Sequence, residues 1–299
     1  MTNPEVERLP IRDEGLVGTM FLQKKSNKYP TIIVLGGSEE GLREGDSALL
    51  ASHGFNTFSL AYFGIEKLPS ELVHIPIDYV EKALNWLMNQ RDIDPNRIGV
   101  MGTSKGGELA LLSASMLPSI KAVAGYVPSS VVYPGIGKRG SELSSWTYQG
   151  DEIPFATGKV SEAELQQDKR EAKTGLQFTY KNIYLQMAKG QEKAEIPVEK
   201  INGPILLISG GDDQLWPSEE LSDRAIRRLK KYGHRFTYEH ITFPLAGHSI
   251  GSPNLPTTMS MEAPFGQGVK LLLGGTPKDN AHAQTDAWEK VKRFFKENL

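Results

Sequence analysis

Short apolar runs bounded by glycine, proline or asparagine recur along the first 130 residues. They are TIIVLGG at 31–37, FNTFSLAY at 55–62, RIGVMG at 97–102 and AVAGYVP at 122–128. Each suits a buried strand. Amphipathic stretches separate them, at 43–53, 76–91 and 106–117. Strand–helix alternation at this spacing predicts a mostly parallel, doubly wound α/β sheet with helices on both faces. The pattern resumes with PILLISGG at 204–211 and FTYEHITF at 236–243, with helices expected at 218–232 and 281–298.

Residues 138–200 interrupt this alternation. The segment is charged and glutamine-rich, without an obvious strand. Ser161-x-x-Glu164 has the form of a helix capping box. Leu176, Tyr180, Ile183 and Met187 fall on one helical stripe. The segment therefore reads as a helical cap inserted between two strands of one domain spanning 1–299. Leu176 and Ile183 are the expected substrate contacts, because long insertions in compact domains are more often functional than idle. A surface insertion without a binding role is the alternative. The chain shows no internal repeat or low-complexity tract.

Composition narrows the class. The chain has 299 residues, 39% of them hydrophobic, and a formal charge of −2. Near-neutral charge gives no electrostatic reason to expect a nucleic-acid partner or an anionic membrane surface. No apolar run reaches the ~18 residues needed to span a bilayer. The polar, acidic start MTNPEVERLPIRDEG does not read as a secretory signal. The expectation is a cytoplasmic protein. With no cysteine, disulfides, thiolate metal sites and a cysteine nucleophile are excluded.

One stretch carries chemistry. IGVMGTSKGGELALL (98–112) contains Gly102-Thr103-Ser104-Lys105-Gly106, which is G-x-S-x-G, where an apolar strand gives way to a helical pattern. A strand turning sharply into a helix leaves little room beside the turn residue, so flanking glycines are needed and Ser104 is held out in the open. This is the signature of a nucleophile elbow. A glycine-rich connection with a passenger serine is the plainer reading. The P-loop pattern fails, since serine and lysine stand in the reverse order, and no G-x-G-x-x-G follows the first strand.

A serine hydroxyl is a weak nucleophile and needs a base, which needs an orienting group. On such sheets they follow in the order Ser…Asp/Glu…His, on loops at the carboxyl ends of strands. GGDDQLWPS follows the strand at 204–209, and PLAGHSIG follows the strand at 236–243. His248 is thus the candidate base. His53, His74, His234 and His240 fall at a helix end, a loop, a turn and a strand, leaving His282 as the only substitute. Asp213 is favoured over Asp212 because Gly210, Asp213, Trp216 and Pro217 fit Gly-x-x-Asp-x-x-apolar-Pro. Asp212 is expected to form the turn, and Trp216 to pack beneath it. No histidine pair has metal-ligand spacing, so no metal site is expected, and the serine route implies no cofactor.

A tetrahedral intermediate needs donors aimed at its oxyanion. The Lys105 amide stands at a helix start, where the dipole favours negative charge. LGGSEEG, after the first core strand, offers the second donor, Ser38 first and Glu39 next. The Lys105 side chain is expected to stay solvated. Glu39 and Glu40 either face the site mouth or complement the helix beginning near residue 43.

Taken in order, LLASHGFNTFSLAYFG, GTSKGGELALL, IPVEKINGPILLISGGDDQLWPS, FPLAGHSI and LGGTPKDNAHAQTDAWEKVKRFF resemble blocks of the acyl-CoA thioesterase and bile acid-CoA:amino acid N-acyltransferase family, in its C-terminal catalytic domain. The likeness runs from about residue 10 to 299. It implies an α/β-hydrolase fold and a Ser104–Asp213–His248 triad, with acyl-CoA as substrate. The chain departs from the family at Glu39 and Glu40, where glycines are usual. Full-length mammalian members also carry an N-terminal β-sandwich domain, whereas about thirty residues precede the first core strand here. The amino-acid transferases use cysteine as nucleophile, so serine implies hydrolysis. The resulting expectation is a thioester hydrolase acting through an acyl-enzyme on a small-molecule acyl ester or thioester. The alternatives are a carboxylesterase for small esters without coenzyme A and a catalytically silent binding module.

Overall fold

The computed structural model describes residues 4–25, 28–138, 140–158, 177–257, 262–266 and 269–299. Eight strands form the main sheet: β1 (Val6–Ile11), β2 (Gly18–Gln23), β3 (Tyr29–Leu35), β4 (Asn56–Leu60), β5 (Ile93–Thr103), β6 (Ala122–Tyr126), β7 (Ile205–Gly210) and β8 (Tyr238–Phe243). Their spatial order is β1-β2-β4-β3-β5-β6-β7-β8. From β4 to β8 every pairing is parallel, while β2 pairs antiparallel with both β1 and β4. This is the doubly wound, mostly parallel sheet that the alternation predicts. The β1–β2 hairpin was not expected. VERLPI alternates buried and exposed positions only weakly, and β2 as well as β1 lies on the outer side of the first expected strand.

The inner strands bury both faces, as central parallel strands do, whereas the edge strands β1 and β8 are only partly buried. Along β3, Ile33 and Leu35 enter one core while Ile32 and Val34 enter the other. Helices α2 (Ile77–Met88), α3 (Lys105–Met116) and α5 (Ser218–Lys231) cover the first face through Leu84, Leu87, Leu109, Leu112 and Leu229. Helices α1 (Glu44–Ser52) and α6 (Pro277–Asn298) cover the second through Leu50, Ala287, Trp288 and Phe295. Helix α6 starts four residues before its expected position. Thr276 caps it by accepting a 3.1 Å hydrogen bond from the Asp279 amide, and Pro277 takes the first turn, where its missing N–H costs nothing.

Within 138–200 the described residues include one α-helix, α4 (Lys181–Ala188), and short turns. Contrary to the strandless expectation, Trp146–Tyr148 pairs with Ile75–Pro76 and with Asp151–Glu152. Strands of two or three residues leave no period in the sequence. A second small sheet joins Gln177–Phe178 to Val269–Leu272 and Glu262–Gly266. The expected capping box at Ser161–Glu164 and the expected contact Leu176 lie outside the described residues. Tyr180 stands at the N-cap of α4, with Ile183 and Met187 inside the helix. No described helix is long and apolar enough to cross a membrane.

Candidate active site

Ser104 lies between β5 and α3 with φ 57° and ψ −121°. Such a backbone is strained for a non-glycine residue, by of order 1–3 kcal/mol, and persists only where the surroundings enforce it. They do so by close packing. A Cβ on Gly102 would stand 2.0 Å from the Gly106 carbonyl oxygen, and one on Gly106 would stand 1.9 Å from the Gly36 carbonyl oxygen. The Ser104 amide donates to the Tyr126 carbonyl at 2.8 Å, tying the turn to β6.

His248 and Asp213 come to this serine from loops after β8 and β7. The Ser104 Oγ lies 2.9 Å from His248 Nε2, and His248 Nδ1 lies 2.8 Å from Asp213 Oδ2. With Nδ1–H donating to the carboxylate, Nε2 is left to accept the serine proton. The Asp213 carboxylate is fully buried. Its Oδ1 accepts from the Leu215 and Trp216 amides at 3.0 and 3.2 Å, and its Oδ2 from the Ser218 hydroxyl at 2.7 Å. These donors fix its orientation. Asp212 points elsewhere, accepting from the Gly275 amide at 2.8 Å and the Gln214 side chain at 2.6 Å. Of the two adjacent carboxylates, only Asp213 meets the imidazole.

His282 is exposed on α6. His240 makes a second Ser–His–Asp set, with Nε2 2.7 Å from Ser209 Oγ and Nδ1 2.9 Å from Asp223 Oδ1. Ser209, however, is fully buried within β7. It has no helix start beside it and no access to a substrate. Both sets have the same three residue types, and the backbone distinguishes them.

The backbone amide of Lys105, first residue of α3, has no intrahelical acceptor. Gly37 packs on Ser104: a Cβ there would stand 3.3 Å from the serine Cβ. Ser38 follows, exposed. The Lys105 side chain is not solvated as expected. It is 2% exposed, with Nζ 2.9 Å from Glu108 Oε1, 2.7 Å from Ser145 Oγ and 3.2 Å from the Tyr133 carbonyl. Glu108 Oε1 also accepts from Trp146 Nε1 at 2.7 Å and the Tyr133 amide at 3.3 Å. Burial pushes the ammonium below its ordinary pKa and the carboxyl above its own, while their mutual attraction opposes both shifts. Tyr133, Ser145 and Trp146 close over this face of α3, which a lysine followed by small residues does not foretell.

Trp216 packs beneath the acid loop as expected, donating from Nε1 to the Val127 carbonyl at 2.9 Å. Its ring also meets His248 edge-on at 5.9 Å. Tyr184, on α4, contacts both Trp216 and Tyr133, at 5.7 and 4.6 Å between centroids. Ile183 is half-buried beside it. The aromatic contact runs through Tyr184, four residues after Tyr180, whereas the apolar stripe takes its neighbour Ile183 at that turn.

A sheet of this order, with a strained serine after β5 and its partners after β7 and β8, defines the α/β-hydrolase fold. Solved structures agree in fold. A putative dienelactone hydrolase from Klebsiella pneumoniae superimposes with a TM-score of 0.55 at 14% identity, covering 97% of each chain. A puromycin-hydrolyzing peptidase of Mycobacterium tuberculosis gives 0.59 at 14% identity, covering all of this chain and 39% of that one.

Residues 75–299 match the family model described as BAAT / Acyl-CoA thioester hydrolase C terminal, and the chain belongs to that family. Acyl-coenzyme A thioesterase 1 of Mus musculus is 33% identical over 296 residues, covering 99% of this chain and 66% of that protein. Acyl-coenzyme A thioesterase 2, mitochondrial, of Homo sapiens is 31% identical, with 99% and 58% covered. The chain thus spans less than two-thirds of the length of these relatives.

Proposed function

We propose that the chain is a serine hydrolase cleaving acyl thioesters, acyl-CoA foremost, through an acyl-enzyme. The observation that carries this reading is the hydrogen-bonded run Ser104–His248–Asp213 on a strained turn, at 2.9 and 2.8 Å. Kinship to thioesterases supports the substrate class. Ser104 Oγ attacks the thioester carbonyl while His248 Nε2 takes its proton, and Asp213 stabilises the imidazolium. The oxyanion is met by the amides of Lys105 and Ser38, at a helix start whose dipole favours negative charge. Collapse of the tetrahedral adduct expels the thiolate, to which His248 returns the proton. Water, activated by the same imidazole, then hydrolyses the serine ester. No cofactor takes part in these steps. Tyr184, reaching Trp216 beside His248, supports the reading of 138–200 as a cap over the acyl pocket.

The test is a side-by-side hydrolysis screen of acyl-CoAs of graded chain length and simple aryl esters, with fluorophosphonate labelling. Ser104→Ala should abolish labelling and leave only the contribution of the oxyanion donors and binding, about 10³–10⁴-fold over water. Turnover of aryl esters alone would identify a carboxylesterase. Labelling without turnover of either class would contradict hydrolysis, and near wild-type turnover by Ser104→Ala would remove the serine from the mechanism.

A further inference from the structure

Tyr62 lies just beyond β4, 3% exposed. Its hydroxyl lies 2.7 Å from the Gly36 carbonyl oxygen and 2.8 Å from that of Gly37, so one proton is shared between two consecutive acceptors. Both belong to the loop that carries Ser38. A carbonyl and the following N–H share one trans peptide plane and point in opposite directions. The described chain contains no cis peptide bond. Holding the Gly37 carbonyl toward Tyr62 therefore turns the Ser38 amide away from it. Opposing contacts stop the loop from relaxing. The Gly36 carbonyl is wedged against α3, where a Cβ on Gly106 would come within 1.9 Å of its oxygen, and Gly37 packs against Ser104.

The phenol is itself held in place. Its ring lies 5.9 Å from Trp146 and 5.3 Å from Phe63, and Trp146 is anchored through Nε1 to Glu108. Burial, with the Glu39 and Glu108 carboxylates adding to it, raises the Tyr62 pKa well above its ordinary value. Tyr62 therefore keeps its proton and remains a donor. A buried tyrosine hydroxyl ordinarily finds one partner. Here it takes the two carbonyls that orient the amides of Gly37 and Ser38, beside the nucleophile.

We propose that Tyr62 is a positioning residue, fixing the direction of the Ser38 amide so that it meets the oxyanion formed on Ser104. The proposal rests on the serine mechanism above. A donor preset in this way costs no reorganisation when charge develops. Its loss should weaken transition-state binding and leave ground-state binding intact.

The experiment compares Tyr62→Phe, Ser104→Ala and a variant with p-aminophenylalanine at position 62, introduced by amber suppression, on one acyl-CoA. Removing an oxyanion donor outright costs about 10²–10³-fold in kcat, and misaiming one should cost about 10–100-fold. Tyr62→Phe is therefore expected to lower kcat by that factor with KM little changed. The affinity for a trifluoromethyl ketone, which forms a tetrahedral adduct on the serine, should fall in parallel. The amino variant keeps a ring and a donor and should recover most of the lost kcat. Wild-type kcat in Tyr62→Phe, with Ser104→Ala inactive, overturns the role of Tyr62 and leaves the serine mechanism standing. A raised KM at unchanged kcat also overturns it. Turnover by Ser104→Ala overturns the serine mechanism and this proposal together. If Tyr62→Phe does not fold, the amino variant decides: near wild-type kcat supports the proposal, and a loss of tenfold or more contradicts it.

Discussion

Replacing Lys105 by methionine should destabilise the protein far more than an ordinary lysine substitution. The ammonium lies 2.9 Å from Glu108 Oε1, and the two side chains are 3% and 0% exposed. At an effective dielectric near 20, that separation corresponds to an attraction of about 6 kcal/mol, set against the desolvation of both ions. Methionine keeps the volume and removes the charge, leaving a buried carboxylate with the Trp146 and Tyr133 N–H groups alone. Breaking a buried pair in this way costs about 3–5 kcal/mol. Glu108→Gln should cost less, because glutamine still accepts from Trp146 and Lys105 retains Ser145 and Tyr133 as acceptors. In Lys105→Met/Glu108→Gln no ion is buried, so the pair should be at least about 2 kcal/mol more stable than the sum of the singles predicts. The sign with pH follows from burial. It already pushes the Glu108 carboxyl above its ordinary range, and Lys105 opposes that shift. Without Lys105 the carboxyl rises further. A group with a raised folded pKa contributes stability below its unfolded value and loses it as pH climbs through the folded value. The deficit of Lys105→Met should accordingly be larger at pH 8 than at pH 5. Urea unfolding at both pH values, followed by fluorescence and far-UV circular dichroism, measures all three variants. Additive singles, or a Lys105→Met deficit under about 1 kcal/mol at pH 7, would refute the reasoning.

Two further predictions concern the site. Asp213→Asn should lower turnover by about 10⁴-fold through the wrong imidazole tautomer, while Asp212→Asn should cost much less, since an amide oxygen still accepts from the Gly275 amide; the reverse ranking in steady-state kinetics would show that Asp212 is the orienting carboxylate. Glu39 already pairs with Arg43 at 2.9 Å, so Glu39→Gln/Glu40→Gln should change kcat/KM for acyl-CoA by no more than about threefold. A tenfold gain at low salt, absent for a neutral aryl ester, would show that these carboxylates repel coenzyme A.

Local rules carried much of this molecule. Strand–helix alternation located β3 to β8 and the helices between them, because buried parallel strands need apolar side chains on both faces. Gly102 and Gly106 marked the turn at Ser104 because no larger residue fits beside it. The order of the Asp213 and His248 loops followed from the strands that precede them. Other features depended on neighbours distant in sequence. Strand β1 exists because β2 pairs with it, as VERLPI has little pattern of its own. Ser209–His240–Asp223 has the residue types of a triad, and what separates it from Ser104–His248–Asp213 is that Ser209 lies buried within β7 while Ser104 stands on a strained turn at a helix start. Lys105 looks like a surface lysine until Tyr133 and Ser145 close over it and supply acceptors. Tyr62 looks like one more aromatic residue in an apolar run until β3 and β4, adjacent in the sheet, bring its hydroxyl to Gly36 and Gly37. Periodicity reports which face of an element is buried, whereas a polar side chain's partner is set by which elements meet, and that is a property of the tertiary structure.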